Sequence, residues 1–263
     1  MTEGAGAPSG AALVAVLEAR FGAVAVPVRI GETEVGLLRP PAAEDLISEE
    51  DFGRDERLPY WAELWPSAVV LAGRVAAERG DGRSLLELGC GLGLVSLAAL
   101  RAGYRVTATD YYLDALAFTR ANAWRAVGRE PATRAADWRA LPGDLGRHDR
   151  VVAADVLYER TYAALVAVAV ALTLADGGVA TVADPGRVAL SAFVDECQAR
   201  GLAVVQAERL PYADGRVRQE ITVLTLAQRS PSLRGEDERE GRPPGGEVLR
   251  GGRGPRRGAA RWR

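Results

Sequence analysis

Lysine is absent from this sequence. All 33 basic residues of the 263-residue chain are arginine, which removes any mechanism built on a lysine base or a lysine Schiff base. With the abundant Ala, Gly and Val, this reads as coding bias rather than chemistry. Cysteine and histidine are almost as scarce: Cys90, Cys197 and His148 are the whole supply. A zinc site takes about four such ligands at close spacing, so no metal is expected. A disulfide framework is equally excluded, which fits a reducing, cytoplasmic setting. No long apolar run occurs either. Residues 163–175 come closest, but Thr173 interrupts them, and they fall short of the roughly 20 residues of a spanning helix. They read as a core helix, with no membrane as partner. The first ten residues lack the basic and apolar segments of a signal peptide. Strong net charge is missing too, at −2, but residues 229–263 hold ten Arg against five acids. The remaining body is therefore acidic, which argues against a dedicated nucleic-acid binder. Nothing in the composition fixes an oligomeric state.

What the chain does contain is a regular alternation of elements. Residues 1–57 form an N-terminal extension: small polar residues at the start, a helix over 11–21, and a hairpin of strands 24–29 and 34–38 about the turn Gly31-Glu32. Residues 40–57 are acidic and irregular. From there the pattern predicts a domain over 58–228. It starts with a helix over 67–79, with Ser67 as N-cap. Strands follow at 84–88, 104–109, 132–136, 150–154 and 178–183, separated by helices at 92–102, 113–127, 158–174 and 188–200. Strands 202–209 and 217–226, joined through Asp214-Gly215, close the domain as a hairpin. Alternating strands and helices imply parallel βαβ units. The predicted fold is therefore α/β: a Rossmann-like, doubly wound, seven-stranded sheet with a C-terminal antiparallel hairpin strand. Residues 229–263, rich in Arg, Gly and Pro, have too little apolar content to offset ordering entropy and are expected to be disordered.

The chemistry concentrates at Leu85-Leu86-Glu87-Leu88-Gly89-Cys90-Gly91-Leu92-Gly93, between a strand and a helix. Glycines there permit close backbone approach to a ligand, and strand ends in open α/β sheets are where ligands bind. Asp110 ends the next strand, 19 residues beyond Gly91, where an acid can accept hydrogen bonds from ribose hydroxyls; the plainer reading is a cap for the following helix. A dinucleotide loop spaces its glycines Gly-x-Gly-x-x-Gly around a pyrophosphate. Here the third glycine comes one place early and Glu87 would repel a phosphate. The spacing favours S-adenosylmethionine (SAM), whose cationic methionine end an acid can face.

Glu87–Gly93 resembles motif I of the class I, seven-β-strand SAM-dependent methyltransferases. Pro59–Ser67 resembles the entry segment of the family that includes nicotinamide N-methyltransferase-like proteins and non-histone protein lysine methyltransferases. Asp155-Val156-Leu157-Tyr158 is similar to that family's Asp-x-x-Tyr motif after the fourth strand. Asp184-Pro185-Gly186-Arg187 is similar to the loop after the fifth strand in the electron-transfer-flavoprotein β-subunit lysine methyltransferases. The resemblance spans 58–227. It implies cofactor contacts at Trp65, Glu87, Gly89, Gly91, Asp110 and Trp138, with the Asp137-Trp138 pair near the adenine. Glu63-Leu64 departs from it, because the flavoprotein-directed enzymes tend to carry aromatic residues there.

Methyl transfer from a sulfonium is an in-line displacement in which positioning supplies most of the rate. Asp155 and Tyr158 are the candidate catalytic pair: the carboxylate to orient an amine N–H, the phenol to add a hydrogen bond or an aromatic wall. The bland alternatives are a helix cap for Asp155 and core packing for Tyr158. Tyr60, Trp61 and Trp65 can be core residues, with Trp65 the one nearest the cofactor. Cys90 reads as a small buried residue, and His148 as solvated in a polar turn. Asp184 and Arg187 can shape the substrate mouth, although Arg187 can equally pair with a surface acid. The expected activity is SAM-dependent N-methylation of a protein lysine. The alternatives are a small-molecule N- or O-methyltransferase, a non-catalytic SAM-binding regulator, and, disfavoured by the glycine spacing, a nicotinamide-cofactor reductase.

Overall fold

The structure is a computed structural model and describes residues 9–42, 46, 59–215 and 217–229. Most of the irregular acidic segment and the Arg-rich tail expected to be disordered lie outside the described residues.

The most buried strands set the architecture. β3 (Ser84–Leu88) holds Leu85, Leu86, Glu87 and Leu88 buried, and β6 (His148–Ala154) is apolar over its second half. Strands apolar on both faces belong in the middle of a parallel sheet. β3 pairs in parallel with β6 on one side and with β4 (Arg105–Asp110) on the other. β5 (Ala132–Ala135) extends the β4 side and β7 (Leu174–Asp184) the β6 side, both parallel. β9 (Arg218–Gln228) then pairs antiparallel to β7, and β8 (Leu202–Ala213) antiparallel to β9. The order across the seven strands is β5-β4-β3-β6-β7-β9-β8, the α/β fold the sequence predicts. The order reverses at β3 and β6, so their C-terminal ends flank the crevice where such sheets bind ligands.

Within residues 10–39 the helix and hairpin expected of the extension are present. α1 (Gly10–Phe21) precedes an antiparallel pair, β1 (Val24–Ile30) and β2 (Thr33–Arg39). Leu13, Leu17, Val28, Leu37 and Leu38 enter the same apolar core as Leu85, Val95 and Phe118. α2 (Pro66–Ala76) and α3 (Leu94–Arg101) are part of it, as is α4 (Leu113–Val127). Buried Asn122 on α4 joins these parts: its Oδ1 accepts the Leu38 N–H at 2.6 Å, and its Nδ2 donates to the carbonyls of Leu38 and Leu92, each at 2.9 Å. On the other face, α5 (Arg160–Thr173) and α6 (Ala189–Ala199) form a second core with Leu86, Leu88, Val151 and Val182.

Four expectations are corrected. Ser67 is not an N-cap. Pro66 opens α2, as proline suits a first helical position, with Trp65 as the capping residue, and Ser67 is buried and bonded elsewhere. The helix expected from Tyr158 starts at Arg160, because Asp155 takes a left-handed φ of 57° and turns the chain out after β6. His148 is not solvated: β6 begins earlier than expected, pairing His148 with Leu174 across a bulge, and the buried ring places Nε2 2.9 Å from the Leu145 carbonyl. β8 continues through Pro211 to Ala213, which an edge strand tolerates because one side of its backbone needs no partner.

Replacing Asn122 with Ala leaves three buried backbone groups without their partner. We expect a loss of about 3 kcal/mol in stability, read as a lower urea midpoint at unchanged slope.

Candidate functional site

The loop after β3 turns sharply, and its geometry shows why it carries glycine. The N–H groups of Gly89 and Cys90 both donate to the Thr109 carbonyl at 2.9 Å. Gly91 has φ of 50°, and a Cβ there would stand 3.1 Å from the Trp61 carbonyl oxygen. Gly93 is tighter, with φ of 79° and a would-be Cβ 2.7 Å from the Thr119 Cα. Any side chain at 93 would push α4 away from the loop.

Asp110, at the end of β4, holds the bend. Oδ2 accepts the Gly91 N–H at 2.9 Å and Oδ1 accepts the Tyr112 N–H at 3.0 Å. Burial raises its pKa from 3.8 to about 6, against the pull of these backbone N–H groups, so it remains an anion at neutral pH. It caps no helix, since α4 has Tyr112 as its capping residue and no side-chain cap.

Around this bend lies a cleft of about 280 Å³. Its wall includes all eight residues that the sequence singled out: Trp65, Glu87, Gly89, Gly91, Asp110, Trp138, Asp155 and Tyr158. Trp138 stands against the glycine turn, where a Cβ on Gly89 would meet its ring at 3.3 Å and Val156 at 3.1 Å. Asp155 follows β6, its side chain 2% exposed. Trp61 packs in the core, whereas Tyr60 is 41% exposed and lies at the cleft, not in the core. Tyr158 is likewise partly exposed and lies outside the core clusters. Cys90 is buried, as read from the sequence. Among the described residues no cluster of His, Cys, Asp and Glu could hold a metal ion.

Tyr162 and the role of Ser67 are not visible in the sequence, which also leaves open the partners of Arg187 and Asp184. Tyr162 lines the cleft and completes an aromatic arc: Trp65–Tyr60, Tyr60–Tyr158, Tyr158–Tyr162 and Tyr162–Trp138 ring centroids lie 5.9, 5.5, 4.6 and 5.7 Å apart. The four-residue spacing of Tyr158 and Tyr162 was the available signal. Ser67 donates to Asp155 Oδ2 at 2.8 Å. Arg187 pairs with buried Asp155 rather than with a surface acid. Asp184, fully buried, accepts the N–H groups of Gly186 and Arg187 at 2.8 and 2.6 Å and shapes the turn after β7.

Glu87 behaves unlike Asp110. It is buried, Ser96 donates to it through both its hydroxyl and its backbone N–H, and desolvation outweighs these bonds and raises its pKa from 4.5 to about 8. It is therefore largely a neutral acid at pH 7. The sign of the linkage follows. The protonated form is native-like, so Glu87's contribution to stability is complete below about pH 4.5 and is lost as pH rises through about 8. Glu87→Gln keeps the neutral shape. The melting temperature of this variant should gain progressively on wild type between pH 5 and pH 9; a constant difference across that range would contradict a neutral Glu87.

Comparison with known proteins bears on this geometry. A family model described as a methyltransferase domain matches residues 85–178. Protein N-lysine methyltransferase METTL21A of Danio rerio is 36% identical over 120 residues, which cover 42% of this chain and 54% of that protein. Its Xenopus tropicalis counterpart is 31% identical over 114 residues, 41% of this chain and 53% of that one. The chain thus spans about half the length of the curated relatives it matches. Magnesium protoporphyrin IX methyltransferase ChlM from Synechocystis PCC 6803, solved with bound SAM, shares the fold at a TM-score of 0.52 and 18% identity, over 71% of this chain and 94% of its own. Residues 85–178 are thus similar to a methyltransferase domain, and the seven-stranded sheet that contains them shares its fold with ChlM.

Proposed function

We propose that this protein is a SAM-dependent methyltransferase whose acceptor is the side-chain amine of a protein lysine. The observation that carries the reading is the lining of the cleft: among the described residues, six acidic side chains (Glu63, Asp110, Asp137, Asp155 and Glu159, with Glu87 neutral until a cation approaches) stand against one base, Arg187, beside an aromatic arc. Such a lining favours organic cations, both as cofactor and as acceptor. The half-length match to protein lysine methyltransferases supports the choice of acceptor.

The residues fit the cofactor. The glycine bend keeps side chains away from the floor of the cleft, where Cβ atoms at Gly89 and Gly91 would crowd Val156, Trp138 and Trp61. Asp110 is an anion that accepts three backbone N–H groups and keeps acceptor capacity for a ribose hydroxyl, and Trp138 offers a flat wall to an adenine. Trp65 closes another side, its indole N–H tied to the Tyr60 carbonyl at 2.8 Å. Glu87 stands ready to ionise where a cation approaches, because a neighbouring positive charge favours the charged form. When bound, SAM supplies a methyl group activated by a sulfonium. The protein has to hold the acceptor nitrogen in line and deprotonated. Asp155 orients the amine N–H through its remaining lone pairs, and Tyr158 adds its phenol and ring at the mouth. Both cysteines are buried and unpaired, in keeping with work in a reducing cytoplasm. Residues 58–228 make up the catalytic domain, with 1–57 an extension before it and 229–263 a tail after it.

Incubation of a lysate with tritium-labelled SAM tests the reading. Label in lysine of a protein band supports it. Label only in a small acceptor would move the substrate to that class, and SAM binding without transfer would make the protein a regulator. Two variants check the residues. Asp110→Ala should weaken binding of the demethylated cofactor about 100-fold, the loss expected for a hydrogen bond to a charged group. Asp155→Ala should abolish turnover and leave cofactor affinity within about threefold of wild type; retained turnover would remove Asp155 from the mechanism.

A further inference from the structure

Asp155 already has company. Its Oδ2 accepts the Ser67 hydroxyl at 2.8 Å, and its Oδ1 accepts Arg187 Nε at 2.8 Å and Nη2 as well. The guanidinium carbon of Arg187 also lies 5.6 Å from the centre of the Trp65 ring. The two partners differ in kind. Ser67 is fully buried in the first turn of α2 and fixed there. Arg187 reaches in from the turn after β7 on a long side chain that is 31% exposed. The turn itself is pinned by Asp184, so the Arg187 side chain can swing away while its backbone stays in place. A partly exposed side chain changes rotamer in picoseconds to nanoseconds.

A buried carboxylate beside an indole face is a receptor for an organic cation. In this chain that receptor holds the one cationic side chain that lines the cleft among the described residues. We propose that Arg187 occupies the subsite of the acceptor's ammonium group, as a built-in stand-in that leaves Asp155 when a cationic acceptor enters. This rests on the methyltransferase reading for the identity of the acceptor, but the cation subsite itself does not require transfer. The arrangement sets specificity. An acceptor must bring a cation to Asp155 and contacts along Tyr60 and Tyr158 in exchange for the guanidinium. A neutral acceptor leaves the pair closed. The stand-in also weakens apparent affinity by the fraction of time the subsite is free: if Arg187 holds it about nine-tenths of the time, the loss is about tenfold.

The test uses full-length protein and n-butylammonium, a lysine side-chain probe, titrated calorimetrically at pH 7.5 and low salt, with and without saturating S-adenosylhomocysteine. Arg187→Gln should bind the probe about tenfold more tightly than wild type. Arg187→Lys, which keeps a cation, should stay within about threefold of wild type. Equal or weaker binding by Arg187→Gln overturns the proposal. So does tight binding of butyrate by wild type that Arg187→Gln loses, since Arg187 would then be a receptor for an anion. The titration without S-adenosylhomocysteine separates this failure from failure of the cofactor reading, which would show as no heat with S-adenosylhomocysteine alone. In wild-type protein, the Arg187 Nε–H resonance should shift as the probe is added. An unmoved resonance at saturating probe overturns the proposal independently of how the variants fold.

Discussion

One carboxylate fixes the shape of the cleft. Asp110 grips the Gly91 N–H from the end of the neighbouring strand, while the Thr109 carbonyl takes the two N–H groups before it. The bend of the chain between β3 and α3 is therefore tied to β4 and not free to open. The tie explains the residues around it. The turn must be left-handed, so it is glycine. The space under it is filled by Thr119 of α4, so position 93 cannot carry a Cβ. The floor it leaves bare lies at the reversal of strand order, where Trp138, Trp65 and Asp155 converge.

Two acids in this cleft have opposite charge states for a physical reason. Both are buried, but Asp110 is repaid by the backbone N–H groups of three residues and stays below neutrality, whereas Glu87 is held by Ser96 alone, through its hydroxyl and backbone N–H, and is pushed above it. A neutral Glu87 differs from the constant negative charge that the sequence implied. It makes the floor of the cleft responsive: a cation arriving there creates its own counter-ion by drawing the proton off.

The parts legible in the sequence are those set by local pattern. α4 was readable to the residue, because its apolar face recurs at helical spacing and Gly128 ends it in a left-handed turn. The strand–glycine–helix passage and the acid at Asp110 followed from turn chemistry and spacing. Tertiary contacts were illegible. Ser67 has the chemistry of a cap, and only the approach of Asp155 from 88 residues away gives it another task. The late start of α5 and the left-handed Asp155 cannot be read from Ala-Asp-Val, because the strain is held by Ser67 and Arg187 across space. Tyr162 looked like one more residue of an apolar helix until its neighbours Tyr158 and Trp138 stood beside it.

Asn122 does not itself line the cleft or touch a candidate catalytic group, yet its amide spans the hairpin and the backbone of the glycine bend at Leu92, which does line it. The segment recognisable by kinship, 85–178, is thus smaller than the unit that stands by itself. Drift in the hairpin of β1 and β2 is constrained by the same amide as the glycine turn. Homologues that replace this hairpin would have to change residue 122 along with it, so the two regions should vary together even though no ligand joins them.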